Sequence, residues 1–173
     1  MKKKTKKLFR KVLKTVAPPP DLKISDWADK YRKLPKETSA EPGQWRTDRA
    51  PYQRKIMDSI NDPEIEKVVV MSSSQVGKSE IILNVMGYYI DVDPCPMLMI
   101  QPTIETAQDF SKRRIAPSIQ AADTLKEKVA DSKSRSGNNT ILMKSFPGGF
   151  LALGGANSPA GLASRPIRIL LAD

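Results

Sequence analysis

Histidine is absent from the 173 residues, and cysteine occurs once, at Cys95. The first absence removes histidine triads, histidine general bases and histidine metal sites, so any chemistry rests on Lys, Asp, Glu, Ser and backbone groups. The second rules out an internal disulfide, which suits a reducing cytosol. No apolar run approaches the roughly eighteen residues that a membrane-spanning helix requires. No secretory signal is expected, because lysines interrupt the apolar residues near the amino terminus and no small-residue cleavage site follows. The length suits one domain with a real core and is short for two.

Basic charge is plentiful but unevenly placed. The net charge of +10 comes mostly from residues 1–20, which hold eight of the 29 Lys and Arg and no acid, leaving residues 21–173 at 21 basic against 19 acidic, or +2. A near-neutral remainder gives no support to nucleic-acid binding by overall charge. The leading segment sets Leu8, Phe9, Val12, Leu13 and Val16 on one helical face among lysines. Two readings stay open for it: a basic amphipathic helix for phosphate backbone, anionic membrane or protein, or a solvated, mostly disordered tail. Pro18-Pro-Pro20 ends any helix there and marks a linker.

The densest motif is Val68-Val-Val-Met-Ser72-Ser-Ser-Gln-Val-Gly77-Lys78-Ser79, followed by apolar residues to Ile90. It predicts a buried strand, a tight loop and a helix, the pattern of a phosphate-binding loop. Backbone N–H groups of Ser72, Ser74, Gln75, Val76 and Gly77 and the helix N-terminus would face an anion, with Lys78 beside the β and γ phosphates and the Ser79 hydroxyl on magnesium. Ser72 stands where the usual pattern has its first glycine. Gly77 is retained where the chain must approach phosphate most closely. A surface Gly-Lys-Ser opening an ordinary amphipathic helix is the alternative, and the flanking apolar runs favour nucleotide.

Elsewhere, Ser25 is expected to cap a helix through Leu34 with Trp27, Tyr31 and Leu34 on its apolar side. Pro51 fits the first turn of a helix to about Ile60. Met97 to Gln101 reads as a short buried strand, and Thr103 as the cap of a helix from Ile104 to about Gln120. Thr140 to Lys144 and Phe150 to Gly154 read as a hairpin about Pro147-Gly-Gly149, and Ile167 to Asp173 as an apolar strand ending in an acid. Alternating strands and helices predict an α/β fold with a mainly parallel sheet, and a ligand at the carboxyl ends of its strands. A carboxylate there, Asp173, would help hold magnesium and neutralise phosphate charge. A helix cap or turn is the bland reading of that aspartate.

The ordered set of Trp27-Ala-Asp-Lys-Tyr31, Pro42-Gly-Gln-Trp-Arg-Thr-Asp-Arg-Ala-Pro-Tyr-Gln53, Lys67-Val-Val-Val-Met71 followed by Ser74-Gln-Val-Gly-Lys-Ser79, Gln101-Pro-Thr103, Phe110-Ser-Lys-Arg-Arg-Ile-Ala-Pro117 and Gly155 to Pro166 before the acid-ended strand resembles the ATPase half of phage terminase large subunits of the lambda type. The resemblance runs from about Ile24 to Asp173. It implies a P-loop NTPase fold, with a basic tail at 1–20, a helical lead-in at 21–66 and an ATPase core at 67–173 that is incomplete at its carboxyl end. The implied cofactors are ATP and Mg2+. The implied activity is ATP hydrolysis that drives double-stranded DNA into a preformed capsid, in the host cytoplasm, by an oligomeric motor working with a small terminase subunit and a portal. Tyr52 and Gln53 fall where the family has an adenine contact, with tyrosine able to stack and glutamine able to donate and accept at a base edge. Gln101-Pro-Thr103 and Asn157 to Arg165 lie at strand ends that can sense nucleotide or touch DNA.

Three departures accompany the resemblance. The loop lacks the arginine of some terminases, a place Arg165 would have to fill as charge stabiliser. The sequence stops at Asp173, before the family's water-orienting glutamate and its endonuclease domain. The family's sheet has a later strand between the phosphate-loop strand and the acid-ended one, so a gap with unpaired backbone is expected. This polypeptide is accordingly expected to be marginally stable and a weak ATPase; cooperative unfolding at high temperature with rapid, Lys78-dependent turnover would contradict that. A helicase-like DNA translocase fragment and a non-catalytic remnant with a basic binding tail are the competing readings.

Overall fold

The computed structural model describes residues 22–129, 139–157 and 166–173. The basic tail, the 130–138 segment and Arg165 lie outside the described residues.

The chain opens with helix α1 (Ile24–Tyr31), whose Ile24, Trp27 and Ala28 are fully buried. Ser25 does not cap it. Ser25 sits inside the first turn, buried, and the free N–H groups of Ile24 and Ser25 donate instead to Asn61 Oδ1 (2.8 Å) and Asp58 Oδ1 (3.1 Å). The orphan donors of a helix start need any nearby acceptor, and here tertiary packing supplies two from the end of the next helix. Strands β1 (Lys33–Leu34) and β2 (Gly43–Gln44) form a small antiparallel pair, and a 3-10 turn at Thr47–Arg49 leads to helix α2 (Tyr52–Ser59), preceded as expected by Pro51.

Helix α3 (Lys78–Asp91) is the organising helix, with nine residues between Ile81 and Ile90 buried. Gly87 is required by its close neighbour: a Cβ there would lie 2.1 Å from the Trp27 ring, so only glycine lets α1 press onto α3. Trp27 Nε1 then donates to Asp91 Oδ2 at 2.8 Å, and Lys128 Nζ reaches Asp91 Oδ1 at 2.6 Å.

Strand β3 (Met97–Gln101) follows, then the Thr103 capping box and helix α4 (Ile104–Phe110), a π turn at Ser111–Ile115, and helices α5 (Ala116–Ala121) and α6 (Asp123–Lys128). The expected long helix is thus present with one wide turn. Pro117 has no N–H to donate and its ring would crowd the carbonyl one turn back, which a widened turn relieves. Strands β4 (Met143–Phe146) and β5 (Gly149–Gly155) make the expected hairpin about Pro147-Gly148, and β6 (Ile169–Ala172) ends the sheet.

The main sheet runs β4-β5-β3-β6, with β3 parallel to both β5 and β6 and helices packed about it. This is a mixed α/β architecture with a mainly parallel sheet. Gln101, Gly155 and Asp173 lie at the carboxyl ends of its parallel strands.

The expected strand at Val68 to Met71 is not formed. Residues 65–73 run without regular structure, Val69 is 75% exposed and Met71 97% exposed. The cause lies beside it. A cleft of about 370 Å³ separates Val68 and Val70 from the Ile169–Ala172 edge strand, with Ile81, Ile82 and Val85 as its floor. An apolar run becomes a strand only when a neighbour supplies ladder partners, and among the described residues none lies next to this one.

Candidate functional site

The phosphate-loop residues stand at the N-terminus of α3, beside the carboxyl end of β6. Gly77 precedes the helix with φ +82°, the left-handed region open to glycine, and Gln75 takes the same region at φ +61°. The first helical residue is Lys78, so the free N–H groups of the helix start follow directly on the loop. Residues 72–75 are exposed and 76–79 partly so, which leaves the loop accessible.

Ser79 and Asp173 are 94 positions apart, yet the Ser79 hydroxyl donates to Asp173 Oδ2 at 2.9 Å. The contact arises because β6 pairs with β3 in parallel and Asp173 N–H continues the ladder to the Ile100 carbonyl, carrying the carboxylate to the helix start. Two hard oxygen donors meet there. Magnesium prefers one or two protein oxygens and fills the rest of its shell with water and phosphate, so the donor set fits Mg2+. Among the described residues no cluster of three or more His, Cys, Asp or Glu offers a denser metal cage.

Lys78 points back along its own loop, donating to the carbonyls of Ser73 (2.8 Å) and Ser72 (3.4 Å). Its ammonium thus lies within the loop. Ser74 contributes backbone to the turn between them.

Tyr52 and Gln53, the adenine-contact candidates, meet the loop directly. The Tyr52 hydroxyl donates to the Val76 carbonyl at 2.9 Å and Gln53 Nε2 donates to the same oxygen at 3.0 Å. Tyr52 is half exposed, whereas Gln53 is buried with its Oε1 unpartnered. Gln101 is also buried, at the end of β3 with Nε2 unpartnered, and no hydrogen bond links it to the loop. Asn157 is exposed at the end of β5.

Sequence reasoning missed an ion cluster behind the loop. Glu80, next to Ser79, accepts from the fully buried Arg32 at 2.9 Å, and Arg114 of the π turn lies 3.8 Å from its other oxygen. Burial pushes the Arg32 guanidinium below its ordinary value while Glu80 pulls it up. An arginine stays charged through such a shift. The signal was an acid in the first turn of an otherwise apolar helix, with no visible reason for its place.

Among the described residues no helix is long and apolar enough to cross a membrane. Comparison with known proteins gives three findings. The family described as phage terminase large subunit gpA, ATPase domain, matches residues 39–173. The terminase large subunit of Enterobacteria phage P21 is 34% identical over 147 residues, covering 84% of this chain and 22% of that protein. The terminase large subunit of Escherichia phage lambda is 34% identical over 132 residues, covering 75% of this chain and 20% of that protein. The chain therefore spans about a fifth of the length of these relatives. No solved structure matches it significantly.

Proposed function

The chain belongs to the ATPase-domain family of phage terminase large subunits, and from that premise we propose that it binds Mg-ATP at the loop formed by Ser72 to Ser79. The observation that carries this reading is the contact of Ser79 with Asp173 at 2.9 Å beside Lys78, which brings a carboxylate 94 positions away to the helix start that holds the adjacent lysine and serine. The site is the phosphate cradle of a P-loop NTPase fold. Loop amides and the α3 N-terminus bind phosphate oxygens, and Lys78 turns from the Ser72 and Ser73 carbonyls to phosphate. Ser79 and Asp173 would hold Mg2+, which would supply neutralising charge to the phosphates. The division into a tail at 1–20, a lead-in at 21–66 and a core at 67–173 goes with this reading. So does a larger role: coupling ATP hydrolysis to translocation of double-stranded DNA, in the host cytoplasm, as an oligomer with a small terminase subunit and a portal.

The test is a calorimetric titration of the 173-residue chain with Mg-ATP, repeated for Lys78→Ala. The expected result is saturable binding that weakens at least about ten-fold in the variant, since a charge-assisted hydrogen bond is worth about 1.5–3 kcal/mol. Equal binding by both proteins, or none by either, would defeat the proposal.

A further inference from the structure

We propose that Gln53 and Tyr52 are positioning residues for the phosphate loop, acting through the Val76 carbonyl. The inference rests on the nucleotide-binding reading above and assigns these two side chains a different task within it.

Tyr52 and Gln53 share one acceptor. Two side-chain donors from consecutive residues of α2 converge on one carbonyl oxygen, at 2.9 Å and 3.0 Å, and so use both of its lone pairs. A trans peptide points its C=O and the following N–H in opposite directions, and the described residues contain no cis bond. Holding the Val76 oxygen against α2 therefore turns the Gly77 N–H away from α2, toward the open side of the loop. That N–H belongs to the residue where the loop becomes α3, the position at which an anion gains most from a fixed donor.

Three further observations agree. Gln53 is 3% exposed, so its amide is held by the surrounding protein and its geometry toward the loop is fixed. Its Oε1 has no partner, which leaves the Val76 carbonyl as the one hydrogen-bond partner of this amide and sets its orientation, since the flipped amide would place oxygen against oxygen. A Cβ at position 77 would lie 2.5 Å from Gln53 Nε2. Gly77 thus serves two needs at once, its left-handed backbone and the space through which the glutamine reaches Val76.

The discriminating experiment compares three magnesium-loaded ligands, ATP, GTP and inorganic tripolyphosphate, on the wild-type chain, Gln53→Met and Tyr52→Phe. Methionine keeps the length of the buried side chain without its donor, and Tyr52→Phe removes only a half-exposed hydroxyl, so it keeps the test open if the first variant folds poorly. The expected result is that each variant weakens all three ligands by a similar factor of about five to ten, the value of one hydrogen bond. Amide hydrogen exchange across residues 72–77 should quicken in both variants. Loss confined to ATP would overturn the proposal in favour of base recognition, and unchanged affinity in both variants would also overturn it. If the wild-type chain binds none of the three, the nucleotide reading itself fails and this inference falls with it.

Discussion

Replacing Gly87 with alanine should loosen the attachment of α1 to α3 by an amount that can be worked out beforehand. The added Cβ would lie 2.1, 2.6 and 3.2 Å from three carbons of the Trp27 ring, against an ordinary carbon contact of about 3.5–4.0 Å. Trp27 is fully buried and cannot swing into solvent, so the helices must separate or the ring must shift by about an ångström. Overpacking of this kind costs about 1–3 kcal/mol. A shifted ring also strains the Nε1 bond to the Asp91 carboxylate, at 2.8 Å, a class of bond worth about 1.5–3 kcal/mol when fully lost. Better helix propensity of alanine returns about 0.5–1 kcal/mol. The expected net loss is about 2–4 kcal/mol, read by urea unfolding followed by circular dichroism. The double variant Gly87→Ala, Trp27→Leu should lose less than the sum of the two single changes, because the smaller side chain makes room, with a coupling of about 0.5–3 kcal/mol. A Gly87→Ala chain within about 0.5 kcal/mol of wild type, or strict additivity in the double variant, would refute the packing described here.

Other outcomes follow from the site and its surroundings. Asp173→Asn should remove most of the advantage that magnesium gives to ATP binding over EDTA, by about ten-fold or more, while leaving the magnesium-free affinity near wild type; titrations with and without the ion check it. Arg32→Met should destabilise by about 3 kcal/mol because it strands a partly buried Glu80, and Arg32→Met with Glu80→Met should recover much of that loss in denaturant unfolding. Burial holds Lys144 below its ordinary value of 10.5 in the folded chain, with the Thr140 carbonyl as its acceptor. The unfolded chain therefore binds more protons than the folded one between that lowered value and 10.5. Stability should rise with pH across that window, and Lys144→Met should flatten the slope.

Much of the site could be read from residue order because its parts are local or end-of-strand features. Lys78 and Ser79 follow Gly77 at a helix start, the Thr103 cap lies three residues from its partner Thr106, and the hairpin carries its turn residues between two apolar runs. Asp173 was placed by the general habit of parallel sheets to gather function at strand carboxyl ends. The failures share a different cause. Val68 to Met71 has the composition of a buried strand, but composition does not state whether a neighbouring strand stands beside it. Ser25 has the right chemistry for a cap, yet Asn61 and Asp58 reach the helix start first. Arg32 and Glu80 meet across 48 positions, and nothing periodic marks such a pair.

On the proposed nucleotide-binding reading, the contacts of Lys78 with its own loop bear on ligand selectivity in a crowded ionic medium. The Ser73 and Ser72 carbonyls solvate the Lys78 ammonium and hold it against its own loop while leaving its charge in place. An incoming anion must outbid those two contacts. A small monovalent ion presents one diffuse charge and cannot engage the lysine and the loop amides together, whereas a chain of phosphates offers several fixed oxygens at once. Self-solvation of the lysine thus sets a threshold that favours polyphosphates over the abundant simple anions around them.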